Sequence, residues 1–262
     1  MNEIIIILAA GLLTGITTIM FGFGGGFVVV PFVYHLVSAT PGLSHEAMHI
    51  AVATSTAVMV VNSGYATIMQ WRAGGLLKET VLPMIYFIAA GALGGALLSL
   101  ILTDRIIRVL FILYMLLTLM DCVFRRGFLD RPSEKRLSGT VSAGAGLGIG
   151  AVAAMLGVGG SVMTVPLLRR HGYAMKHCVS AANPLSLPVA LAGSAIYAVA
   201  AWGRDRGLDY IGFINLKILG LLIIAGFSGI WLAKKCIPPV NDALHAGIYV
   251  GLLAAVLLAI AL

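Results

Sequence analysis

The stretch GFGGGFVVVP, residues 22–31, follows an apolar run of about twenty residues, NEIIIILAAGLLTGITTIMF. Four glycines in five residues then stop what would otherwise continue as a helix. Glycine is among the poorest helix formers, so the break is written into the sequence. The pattern returns at residues 157–166 as GVGGSVMTVP. A break inside a lipid-embedded segment frees backbone N–H and C=O groups. Each costs several kcal/mol unless protein, water or a ligand satisfies it.

The embedding follows from composition. The chain is 60% apolar and 10% charged, with 32 glycines. Apolar runs of twenty or more residues recur from end to end, which predicts an all-α integral membrane protein. They are continuous rather than alternating, so a barrel does not fit. The start, MNEII, lacks the basic region of a cleaved signal, so residue 1 is read as the mature start. Net charge is +7, and the basic residues are scattered without an aromatic platform, which speaks against nucleic acid as a partner. Cys122, Cys178 and Cys236 share no regular spacing, so neither a disulfide framework nor a metal site is expected. No cofactor is expected either.

Residues 10–31 align with 145–166 at a constant offset of 135. Ten positions are identical, among them Gly22/Gly157, Gly24/Gly159, Gly25/Gly160 and Pro31/Pro166. Further on, HIAVATS (49–55) parallels HCVSAAN (177–183), Trp71 parallels Trp202, and AGALGG (90–95) parallels AGFSGI (225–230). The chain divides into repeat one (1–124), a polar linker (125–137) and repeat two (138–262), within one transmembrane domain. Internal repeats of this kind are typical of transporters.

Each repeat offers a long helix, the glycine break, a short apolar piece and three more long helices. If the chain crosses straight through at the break, basic residues divide nine to seven between the two faces. If it turns back there, Arg72, Lys78, the five basic residues of the linker, Arg169, Arg170, Lys176, Lys234 and Lys235 share one face. Arg105, Arg108, Arg204 and Arg206 take the other. The second division obeys the positive-inside rule far better. It predicts inverted repeats, a re-entrant first segment in each, termini outside and the linker in the cytoplasm.

In that arrangement the short pieces start at the breaks with free N–H donors and partial positive charge. Inverted symmetry points both at one midplane site, an anion cradle of peptide groups. The expected substrate-binding residues are Gly24, Gly25 and Gly26 with Gly159, Gly160 and Ser161. Thr54, Ser55 and Asn183 are added from the following helices; Thr56, Asn62, Ser63, Ser180 and Ser186 are further polar candidates there. Pro184 and Pro188 predict a kinked or unwound helix. Gly91, Gly94, Gly95, Gly144, Gly146, Gly148 and Gly150 read as helix-packing positions. Alanine at Gly91 is therefore expected to be far milder than at Gly25 or Gly160. His49 and His177, at matching repeat positions, are candidates for gating or proton handling. Asp121, beside Arg125, reads as an interfacial pair. Glu46, Asp104 and Asp242 sit at helix starts, and Lys217 is expected to snorkel outward.

The duplicated motifs, GFGGGFVVVP with AVATS and GVGGSVMTVP with SAANP, resemble the TauE/SafE family of sulfite exporters along essentially the whole chain. The resemblance implies a secondary carrier in a bacterial or archaeal inner membrane, exporting sulfite or an organosulfonate such as sulfoacetate. Uptake of another sulfur-containing anion is the alternative, since some relatives are linked to it. Ser161, in place of a third glycine, and Asn183–Pro184 depart from the family pattern. An intramembrane enzyme is the other class weighed; no GxSxG or HExxH occurs to support one. A cation channel would want acidic rings or a carbonyl filter. The sequence leaves the oligomeric state open.

Overall fold

The computed structural model describes residues 2–74, 78–124, 128, 137–202, 208–238 and 240–261. Most of the linker, including Arg125, lies outside the described residues. The fold is nearly all helical. Repeat one contains α1 (Asn2–Phe21), α2 (Gly26–Ser38), α3 (Ala47–Arg72), α4 (Lys78–Ser99) and α5 (Asp104–Phe124). Repeat two contains α6 (Gly139–Leu156), α7 (Ser161–Arg170), α8 (Met175–Ala200), α9 (Leu216–Cys236) and α10 (Asp242–Ala261). A two-residue hairpin, β1 (Tyr210–Ile211) with β2 (Ile214–Asn215), precedes α9; the sequence reading did not anticipate it. Eight described helices are long and apolar enough to span a bilayer. The other two, α2 and α7, run for only 13 and 10 residues. At 1.5 Å per residue they reach about half to two-thirds of a hydrocarbon core.

The chain reverses at the first break. Thr14 of α1 lies against Gly25, and Phe21 lies beside His245 near the start of α10. From there α2 runs back, its start against Ser55 and Met59 in mid-α3 and its end at the turn leading into α3.

Contacts exchange between the two repeats. α1 packs on α9 and α6 on α4, both pairs parallel. Gly11 faces Leu222 and Gly15 faces Ile230 in one pair; Gly146 faces Met84 and Gly150 faces Ala92 in the other. The matching helices α3 and α8 run antiparallel, Thr56 meeting Gly193 while Gly64 meets Leu187. α5 and α10 are antiparallel as well, since Arg108 in the second turn of α5 donates to the carbonyl of Ile260 at the end of α10.

The centre belongs to α3 and α8, whose spans are 78% and 61% buried against 39% or less for the others. These two helices carry most of the chain's mid-helix polar residues. Lipid would leave those groups unsatisfied, so they are turned inward. α8 runs unbroken through Pro184 and Pro188. Of the kink or unwinding expected at these prolines, the unwinding does not occur.

One expectation about glycine is reversed. A Cβ at Gly91 would overlap the carbonyl of Leu147, and one at Gly95 would overlap the carbonyl of Ala151. Here two helix backbones touch, so Gly91 is a packing position as read, but an intolerant one. Gly94, Gly144 and Gly148 face open space instead. Alanine at Gly95 is therefore expected to cost about 1–3 kcal/mol or more. It should lower the unfolding midpoint of the purified protein, whereas alanine at neighbouring Gly94 should leave the midpoint in place. Equal midpoints would refute this packing account.

Candidate functional site

Glycine is required at the breaks by backbone geometry. Gly22, Gly24 and Gly25 have φ of 73°, 64° and 97°, and their counterparts Gly157 and Gly159 have 68° and 69°. This left-handed region is open to glycine at little cost. It ends α1 and α6 sharply and re-aims the chain into α2 and α7. Neither short helix has a side-chain N-cap bond. Their first N–H groups therefore have no intrahelical partner and are not capped in that way.

The breaks meet in the middle of the molecule. Ser55 Oγ donates toward the carbonyls of Gly157 (2.7 Å) and Gly26 (3.2 Å), one from each break. Gly26 packs so closely that a Cβ there would lie 2.6 Å from the Gly157 carbonyl oxygen. Met59, fully buried, lies between them, bordering Gly24 and Gly26 on one side and Gly159 on the other.

Around the first break stands a set of buried polar side chains. Ser63 Oγ lies against Gly24. Asn62 Nδ2 would be 3.2 Å from a Cβ at Gly25, and Thr14 packs on the same glycine. All three residues are fully buried. Thr14 Oγ1, Ser63 Oγ and both amide atoms of Asn62 have no hydrogen-bond partner among the described residues. At the second break, Ser186 Oγ donates to the Ala182 carbonyl (2.9 Å) and Thr164 Oγ1 to that of Gly160 (2.7 Å), whereas Ser161 Oγ is unpartnered.

The structure thus brings Gly24, Gly25, Gly26, Ser55 and Gly159 together, with Gly160 and Ser161 alongside. Gly160 differs from Gly25: its φ is −66°, and a Cβ would sit 3.3 Å from Ile149 and 3.4 Å from the Leu185 carbonyl. Thr54 points elsewhere, accepting from the Asn215 backbone N–H (3.1 Å) at the start of α9. Asn183 Nδ2 donates to Thr18 O (3.2 Å), while its Oδ1 is unpartnered. His49 and His177 part company. His49 is buried, with Nδ1 on Asp104 and Nε2 3.1 Å from the Ser99 carbonyl, whereas His177 is exposed. Asp104 also accepts from Met48 N (2.6 Å) and Asp242 from Met175 N (2.8 Å), so each caps the helix start of its own repeat's core helix. Asp121 pairs with Arg170 of α7. The pair helps line a cleft of about 770 Å3 between α5, α6 and α7, which reaches Leu156 and Met163 beside the second break.

Sequence reading missed Thr14 and Met59 and ranked Asn62 and Ser63 below Ser55. One signal was present: the repeat alignment sets Thr14 opposite Ile149, a hydroxyl against a hydrocarbon within the most conserved block shared by the two halves.

Comparison with known proteins bears on the whole chain. A family model described as "Sulfite exporter TauE/SafE" matches residues 7–260. A "Probable membrane transporter protein" of Haemophilus influenzae is 24% identical over 235 residues, covering 86% of each chain. No solved structure matches.

Proposed function

This chain belongs to the sulfite exporter TauE/SafE family, and from that premise we propose that it exports a small sulfur oxyanion or organosulfonate through a cradle at its paired glycine breaks. It is a multi-pass membrane transporter rather than an enzyme. The proposed setting is the inner membrane of a bacterium or archaeon. The observation that carries the site is the junction of the breaks, where one hydroxyl, Ser55 Oγ, bridges Gly26 and Gly157. Two short-helix N-termini lie beside it, together with the unpartnered hydroxyls of Thr14, Ser63 and Ser161. Such groups donate to oxyanion oxygens without a cation at the midplane.

The antiparallel α3/α8 and α5/α10 pairs support inverted repeats, and the basic linker face supports a cytoplasmic linker. Reporter fusions at Leu262 and within 125–136 should report opposite sides. A shared side would overturn this topology. In alternating access the two repeats would rock around Ser55 and Met59. An interior-negative potential favours exit of an anion by about 2.3 kcal/mol per charge per 100 mV, so export needs no coupled ion.

Proteoliposome flux of sulfite, sulfoacetate, sulfate, thiosulfate and chloride tests the reading. Sulfite or sulfoacetate should move faster than chloride, and an imposed potential should speed the movement. Transport of none of the sulfur anions would refute it. Because export needs no carboxylate, Asp121→Asn should keep flux within about threefold of the parent. A tenfold loss in folded protein would give the Asp121–Arg170 pair a role in gating.

A further inference from the structure

Resting on that reading, we propose that within the cradle the deciding side-chain hydrogen bonds come from the first repeat, from Thr14, Asn62 and Ser63 at the start of α2, and that the anion binds as a hydrogen-bearing monoanion such as hydrogensulfite.

The two breaks are related in sequence but not in chemistry. Thr14, Asn62 and Ser63 align with Ile149, Ala190 and Leu191. The serine facing Gly159 has its hydroxyl tied to its own helix, whereas the serine facing Gly24 does not. Burying an unpartnered hydroxyl or amide costs roughly 1–3 kcal/mol. The first break carries three such residues together, all fully buried: Ser63 Oγ faces Gly24, Asn62 Nδ2 faces Gly25, and Thr14 lies with its methyl on Gly25, at the N-terminus of a 13-residue helix. A ligand that completes their hydrogen bonds recovers that cost.

The amide fixes the ligand's character. It lies over Gly226 of α9, where a Cβ would be 3.1 Å from both Asn62 Nδ2 and Oδ1. Both atoms are unpartnered, so whichever way the amide is turned it offers donors on one side and a pure acceptor on the other. The hydroxyls and α2 N–H groups suit acceptor oxygens. The amide carbonyl needs a donor, which a fully deprotonated dianion lacks and a hydrogen-bearing monoanion supplies. Tyr65, two positions from Ser63, is exposed and packs edge-on against Phe227. The other titratable residues of the surrounding helices α1, α2, α3, α8 and α9 are Glu3, Tyr34, His35, His49, Arg72, Lys176, His177, Cys178, Tyr197, Lys217, Lys234, Lys235 and Cys236. Each of these others stands eight or more positions along its helix from the cluster or, on α8, from Leu187, which meets Gly64. That is about 12 Å or more, so the ligand's own ionisation governs its pH dependence.

Calorimetric titration of the purified full chain tests this, with sulfite and methanesulfonate as probes. The two pH values used are one unit below and one unit above sulfite's second ionisation. Sulfite should bind about tenfold more tightly at the lower pH, as the monoanion fraction requires. Methanesulfonate, a monoanion at both, should bind more weakly and without pH dependence. Asn62→Leu should lose at least about tenfold in sulfite affinity and abolish the preference, while its unfolding midpoint stays level or rises, because a buried unpartnered amide is gone. Ser63→Ala and Thr14→Val should each lose several-fold, and Ser228→Ala, on the lipid-facing side of α9, should match the parent. The proposal is overturned if Asn62→Leu binds like the parent or if sulfite binds equally at both pH values. Should the parent bind neither probe, the sulfur-anion reading itself fails and this proposal with it.

Discussion

Alanine at Gly25 is expected to lower sulfite flux about a hundredfold, equivalent to roughly 2.7 kcal/mol. Two independent effects combine there. The residue has φ 97°, where a non-glycine residue is strained by about 1–3 kcal/mol. The new Cβ would also overlap Thr14 and lie 3.2 Å from Asn62 Nδ2. Relief requires the start of α2 to move, which shifts the N–H groups and spreads the side chains proposed to hold the anion. Alanine at Gly160 should cost only about threefold, because φ −66° suits any residue and its nearest contacts can give a few tenths of an ångström. Flux is measured in proteoliposomes after gel filtration has shown each variant to be folded. Parent-like transport by the folded Gly25→Ala protein would remove the cradle from the mechanism.

The largest loss of stability is expected from Arg169→Met. Arg169 is 1% exposed, and its guanidinium reaches Asp242 (2.6 Å), the Phe128 carbonyl (2.8 Å) and the Tyr173 carbonyl (3.4 Å). It thereby joins the end of α7 to the start of α10 and to Phe128 of the linker. Methionine fills similar space but leaves those carbonyls without this donor and Asp242 without this cation. Breaking a buried pair from one side costs 3–5 kcal/mol. Asp242 is partly open to solvent, so about 3 kcal/mol is the expected size, visible as a fall of several degrees in the unfolding midpoint. Arg169→Lys should recover only part, since an ammonium cannot reach all three partners with the guanidinium's planar fork. An unchanged midpoint in Arg169→Met would show that the pair contributes nothing.

The membrane class, the eight long spans, the two glycine breaks and the short helices after them were all legible along the chain. Hydropathy and glycine content are local properties, and lipid makes them decisive by forbidding unsatisfied backbone. The family, too, was readable from the duplicated motifs. Partnership was not readable. Gly91 looked like an ordinary packing glycine until the Leu147 carbonyl was found against it, 56 positions away. His49 and His177 looked equivalent until one met Asp104 and the other met solvent. Thr54 and Ser55 are neighbours in sequence, yet one turns to Asn215 and the other bridges the two breaks. Whether a buried hydroxyl or amide is satisfied depends on atoms delivered by helices far away in the chain. Only the tertiary structure could therefore single out Thr14, Asn62 and Ser63 from the many polar residues the sequence places within its spans.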